Sequence, residues 1–80
     1  MGISDAVRKR IVELCGNKGI TVNKLSYFSG VSRKTVGSFM TGATKSIGIE
    51  NLKKLIDGLD MSITEFFDTE VFRNLEQEIV

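Results

Sequence analysis

The sequence predicts an all-α fold: five short helices around one core, followed by a C-terminal helical tail. Apolar residues recur at steps of three and four almost throughout, and strand-like alternation is absent. The chain has no proline, no low-complexity run and no internal repeat, so nothing in it reads as an interdomain linker. Its 80 residues, 41% hydrophobic and 26% charged, suit one globular domain. No single helix carries enough apolar surface to stand alone, so all of them must share the core.

Each element has its own signals. Ser4 or Asp5 is placed to cap a first helix carrying Val7, Ile11 and Leu14, which ends near the glycines at Gly16–Gly19. Thr21 caps a short second helix through Leu25 and Phe28, and Gly30 stops it. Here Phe28 reads as core and Tyr27 as a boundary residue. Ser32 caps a third helix with Val36, Phe39 and Met40 inward, ending at Gly42. The segment "ATKSIG" is a loop. A fourth helix, Ile49 to about Leu59, buries Leu52, Leu55, Ile56 and Leu59. "SITE" at Ser62–Glu65 is a capping box opening a short fifth helix with Phe66 and Phe67. In the tail, capped by Thr69 or Asp68, Val71, Phe72, Leu75 and Ile79 fall on one helical stripe. Glu76 and Glu78 come late in it, where they oppose the helix dipole, so the tail should not hold helix by itself.

Charge divides the chain in two. Residues 1–45 hold eight Lys/Arg against Asp5 and Glu13, a net +6; residues 46–80 hold three against eight acids, a net −5. A basic front half points to a polyanion as partner.

The turn between the second and third helices is the most informative stretch. Gly30 tolerates positive φ, Val31 plugs the turn into the core, and Ser32 satisfies a free amide. Arg33 and Lys34 then occupy the first turn of the third helix, where cations oppose its dipole. A fold gains nothing from that placement, whereas a phosphate-lined groove does.

"VNKLSYFSGVSRKTVGSFMTG", Val22 to Gly42, resembles the helix-turn-helix of the phage-repressor (Cro/C1, or XRE) family of transcription regulators. Leu25, Gly30, Val31, Val36 and Phe39 carry the pattern. "IENLKKLIDGLDMSITEFF", Ile49 to Phe67, is similar to the family's fourth and fifth helices. The resemblance spans about residues 4–67. It departs at Ser26, where the family usually has a small apolar residue, and Gly37 is an oddity inside the recognition helix. That glycine costs about 1 kcal/mol relative to alanine and leaves room for a close DNA backbone.

The resemblance implies a compact phage-repressor-like DNA-binding domain over residues 1–68, with its helix-turn-helix at 21–42 and an amphipathic tail at 69–80. It implies that Arg33, Lys34, Thr35 and Ser38 face base edges, with Arg33 suited to bidentate pairing with guanine. Thr21, Asn23 and Lys24 before that helix, and Thr41, Thr44 and Lys45 after it, are then the phosphate contacts.

Other chemistries find little support. One cysteine, Cys15, and no histidine exclude a disulfide framework and make a zinc site or an activated nucleophile implausible. "GSFMTGATKS" has Lys45 and Ser46 two residues too late for a phosphate-binding loop, and no strand precedes it. The acids Asp57, Asp60, Glu65, Asp68 and Glu70 lack calcium-loop spacing. No enzyme activity and no cofactor are therefore expected. No apolar run is long enough for a membrane span, and "MGISDAVRKR" has no signal-peptide core, so the expected location is the cytoplasm. The expected function is sequence-specific binding of double-stranded DNA as a transcriptional regulator, a repressor reading a palindromic operator as a homodimer. The alternative is a protein-interaction or antitoxin-like module on the same fold. The stripe Val71, Phe72, Leu75 and Ile79 either folds back on the core or dimerises. An 80-residue core has limited free surface, which favours the dimer, with Phe72 and Leu75 at its centre.

Overall fold

The computed structural model describes residues 1–79, and every regular element among them is a helix. These are α1 (Ile3–Lys18), α2 (Val22–Ser29), α3 (Arg33–Thr41), α4 (Ile49–Gly58), α5 (Ile63–Phe67) and α6 (Glu70–Arg73). Ile11, Leu25, Val36, Phe39, Leu55, Ile56, Leu59 and Phe66 are almost fully buried at the centre, so each of the first five helices contributes except through its polar side. Cys15 is a buried core thiol, and burial pushes its pKa up.

Caps follow side-chain chemistry closely. Thr21 and Ser32 accept the backbone N–H groups of Lys24 and Thr35, and Ser62 and Glu65 form a reciprocal capping box. Those bonds from Ser62 hold the Glu65 carboxyl below its ordinary pKa. Gly30 ends α2 with a left-handed φ of 75°, which a side chain would strain.

The start of α1 differs from expectation. Neither Ser4 nor Asp5 caps it; Gly2 occupies the cap position without a side-chain bond. The free amide of Ile3 is met instead by Glu78, whose Oε2 accepts it at 3.0 Å. A carboxylate at a helix N-terminus is favourable wherever it comes from in the chain.

The packed face of α2 also differs. Val22, Leu25, Ser26 and Ser29 form its inward stripe, with Leu25 and Ser26 buried and the other two half-buried. Phe28 lies one step off that stripe and is 53% exposed, so it is not core, while Tyr27 is 81% exposed. The two serines disguise the stripe in the sequence. At Ser29 a small side chain is required because α4 comes close: a Cβ on Gly58 would stand 3.1 Å from both the Leu25 Cδ1 and the Ser29 Cβ. Buried Ser26 donates its hydroxyl to the Val22 carbonyl at 3.2 Å, so its departure from an apolar residue leaves no polar atom stranded.

The tail does not form one continuous stripe. α6 stops at Arg73, and Leu75 and Ile79 lie beyond it without helix. Phe72 has turned inward, with its ring centroid 4.8 Å from Phe67 and 6.1 Å from Phe66, whereas Val71 and Ile79 remain exposed. Glu76 and Glu78 both lie beyond the end of α6, and the Glu78 carboxylate accepts the Ile3 amide at the start of α1.

Candidate nucleic-acid interface

The turn Gly30–Ser32 sets α3 off from α2 and leaves its leading end open to solvent. Val31 is buried beneath the turn, and Val36 and Phe39 anchor the opposite face of α3 in the core. Those three apolar residues fix which side of α3 faces outward. Arg33 and Lys34 are exposed, and neither forms an ion pair with an acid among the described residues. Thr35 and Ser38 are half-buried on the same helix. The Thr35 hydroxyl accepts a bond from Ser32 at 2.8 Å, which leaves its own proton free to donate outward.

The residues on either side are exposed as a phosphate track requires. Thr21 accepts the Lys24 amide at 3.0 Å and keeps its hydroxyl proton, with Asn23 and Lys24 beside it on the first turn of α2. After α3, Thr41 spends its hydroxyl proton on the Ser38 carbonyl at 3.3 Å. Any phosphate there has to compete for it. Thr44 and Lys45 are exposed, and the Thr44 amide bonds back to the same Ser38 carbonyl at 3.0 Å, curling the loop against the end of α3.

One side chain that sequence reasoning counted only as charge holds this loop in place. Arg8 of α1 donates from Nε to the Phe39 carbonyl at 2.6 Å, and from Nη2 to the Thr44 and Lys45 carbonyls at 3.1 and 3.4 Å. Its remaining nitrogen pairs with Asp5 at 2.8 Å, and the guanidinium lies 4.5 Å from the Phe39 ring centroid. Arg10 does the same at the end of α5, donating to the Phe66 and Glu65 carbonyls at 2.8 and 3.0 Å. Cations there complement the negative helix ends. Two of the charges behind the +6 are thus committed to the fold. Of the six that remain outward, Lys24, Arg33, Lys34 and Lys45 lie around α2 and α3, and Lys9 and Lys18 lie on α1.

A helix held by its rear face, with two unpaired cations at its tip and hydroxyl- and lysine-bearing turns on both sides, is arranged to sit on nucleic acid. The chain matches the Cro/C1-type HTH DNA-binding domain over residues 10–71. It belongs to that family. It is also similar to a protein of Bacillus subtilis (strain 168) described as an SPbeta prophage-derived uncharacterized HTH-type transcriptional regulator, YopS. The two are 27% identical over 64 residues, which is 80% of this chain and 86% of that one. No solved structure matches it significantly. Among the described residues, no helix of this Cro/C1-type domain is long and apolar enough to cross a membrane.

Within the Cro/C1-type frame, the base-facing and phosphate-facing candidates all lie on or beside α2 and α3, at both ends of the recognition helix. What the sequence did not reveal is the loop clamp. Arg8 reaches backbone carbonyls 31 to 37 residues away, and a backbone carbonyl leaves no signature in side-chain spacing. The exposure of Phe28 was hidden for a related reason. Without the α2–α4 contact at Gly58, the serine stripe looks like surface and Phe28 looks like core.

Proposed function

We propose that this DNA-binding domain is a sequence-specific repressor that acts in the cytoplasm and reads a palindromic operator as a homodimer. The observation that carries the reading is the pair Arg33–Lys34, exposed and unpaired at the leading turn of the recognition helix. Such cations disfavour the free helix and are stabilised only by an anionic partner. Arg33, Lys34, Thr35 and Ser38 are assigned to base edges, Arg33 as the guanine reader. Thr21, Asn23, Lys24, Thr41, Thr44 and Lys45 are assigned to phosphates. One recognition helix covers a half-site, so two copies are needed for a full operator. Of the tail residues expected to dimerise, Phe72 is largely taken up by its own aromatic neighbours. Val71 and Ile79 are the apolar groups left exposed for a second copy, with Leu75 half-buried between them.

The test is fluorescence anisotropy on duplex from the gene's own upstream region across a salt series. Lys24 and Lys45, with Arg33 and Lys34 beside them, neutralise roughly four to eight phosphates per dimer and give a steep linear fall of log affinity with log salt. A flat plot would remove the DNA reading altogether. The second reading, an interaction or antitoxin-like module, is favoured by the exposed Val71 and Ile79. It requires that capture by a protein partner be lost when those two become serine while DNA affinity stays unchanged.

A further inference from the structure

A shallow groove runs along the outside of the helix-turn-helix, lined by Thr21, Asn23, Lys24, Tyr27 and Arg33. Tyr27 stands in it 81% exposed, with no hydrogen-bond partner for its hydroxyl among the described residues. We propose that Tyr27 is a DNA-positioning residue, donating its hydroxyl to a backbone phosphate between the α2 phosphate track and the base pair read by Arg33. This rests on the DNA-binding reading above and extends it to a residue outside the usual first turns.

The lining of the groove selects the occupant. It offers two cations, an amide and two hydroxyls, with no carboxylate, so it is rich in donors and suited to an anion. An apolar protein partner fits it less well. Phe28, the neighbouring exposed aromatic, has the Lys24 ammonium 5.5 Å from its ring centroid and the Tyr27 ring edge-on at 6.3 Å. Its face therefore carries a charge and is not a bare apolar patch. That contact draws the Lys24 ammonium toward the Phe28 ring, while the neutral phenol of Tyr27 shares the groove with Arg33. Tyr27 lies one helical turn after Asn23, on the same face. The same groove holds Thr21, Asn23 and Arg33, so a single DNA strand laid along it has Tyr27 within its lining.

Because Tyr27 packs on almost nothing, its variants keep the fold, and two of them separate the hydroxyl from the ring. Anisotropy with a short fluorescein-labelled duplex of mixed sequence is sufficient, since phosphate contacts are read on any sequence. Tyr27→Phe should weaken binding about three- to tenfold, as expected for loss of one solvent-exposed hydrogen bond. Its salt slope should stay at the wild-type value, because a neutral donor displaces no counterion, while Lys24→Ala lowers the slope by about one. Tyr27→Ala should bind no better than Tyr27→Phe. The proposal is overturned if Tyr27→Phe binds like wild type, including the case where only Tyr27→Ala is weakened and the ring alone matters. Wild-type protein that binds no duplex would instead overturn the DNA reading itself.

Discussion

A guanidinium at the front of a helix sits against the field of its own backbone, at a cost of a few tenths of a kcal/mol. Arg33 accepts that cost with no acid nearby to relieve it. Arg33→Ala should therefore leave stability unchanged or slightly raised, and relax specificity at one base position by about 1–3 kcal/mol on the best site. Lys45→Ala should instead weaken all sequences equally and lower the salt slope by about one. Selection from a randomised site library reads the difference, and identical profiles for the two variants would collapse the division between base reader and phosphate clamp. Gly37 poses the opposite trade. A Cβ there meets nothing within 4 Å, so the fold does not need a glycine in the middle of α3. Gly37→Ala should stabilise the domain by about 0.5–1 kcal/mol in urea melts. If the bare backbone is kept for close approach of DNA, the same variant loses affinity. A variant that gains stability and binds as wild type would show that the glycine serves neither.

At the scale of the element, the unit that matters is α3 with its trailing loop, and that unit is held from outside itself. Arg8 joins three carbonyls, at Phe39, Thr44 and Lys45, to α1 with one rigid fork. Arg8→Ala should free the loop, raise hydrogen exchange at the Thr44 amide and weaken DNA binding on every sequence. Arg8→Lys should rescue little, since an ammonium is a point charge and cannot span the three acceptors. Unchanged exchange at Thr44 in either variant would show that the Ser38 carbonyl bond alone holds the loop. The helices themselves were legible in the sequence because their caps and glycine stops are local: Thr21, Ser32, Ser62 with Glu65, Gly30 and Gly42 all act within four residues of their targets. The candidate site was legible for the same reason, since its residues lie around one turn. Whatever depends on distant backbone was not. The Arg8 clamp, the Glu78 bond to α1 and the α2–α4 approach at Gly58 all join residues remote in sequence, and so escaped a reading based on spacing.

For the whole molecule, the tail decides whether stability and assembly are separable. Two of its side chains do different things for the single chain. Phe72 packs on Phe66 and Phe67 beside α1, and Glu78 supplies the cap that α1 lacks. Truncation after Asp68 removes both. It should cost roughly 3–4 kcal/mol, from loss of a mostly buried phenylalanine and of a helix cap. For so small a domain that is a large share of total stability. Truncation after Asn74 keeps Phe72 and the Arg73 pairs with Asp68 and Glu70, and should cost only about 1 kcal/mol, the value of the cap. The shorter cut therefore tests assembly without unfolding the protein, while still removing Leu75 and Ile79. If those residues meet a second copy, the variant cut after Asn74 stays folded, sediments as a monomer at concentrations where the full chain is dimeric, and binds operator half-sites without cooperativity. Val71→Ser in the full chain should act in the same direction, because Val71 is exposed beside Phe72 and contributes little to the core. A full chain that sediments as a monomer at high micromolar concentration, with operator cooperativity untouched by the cut, would place the whole tail in the service of its own core.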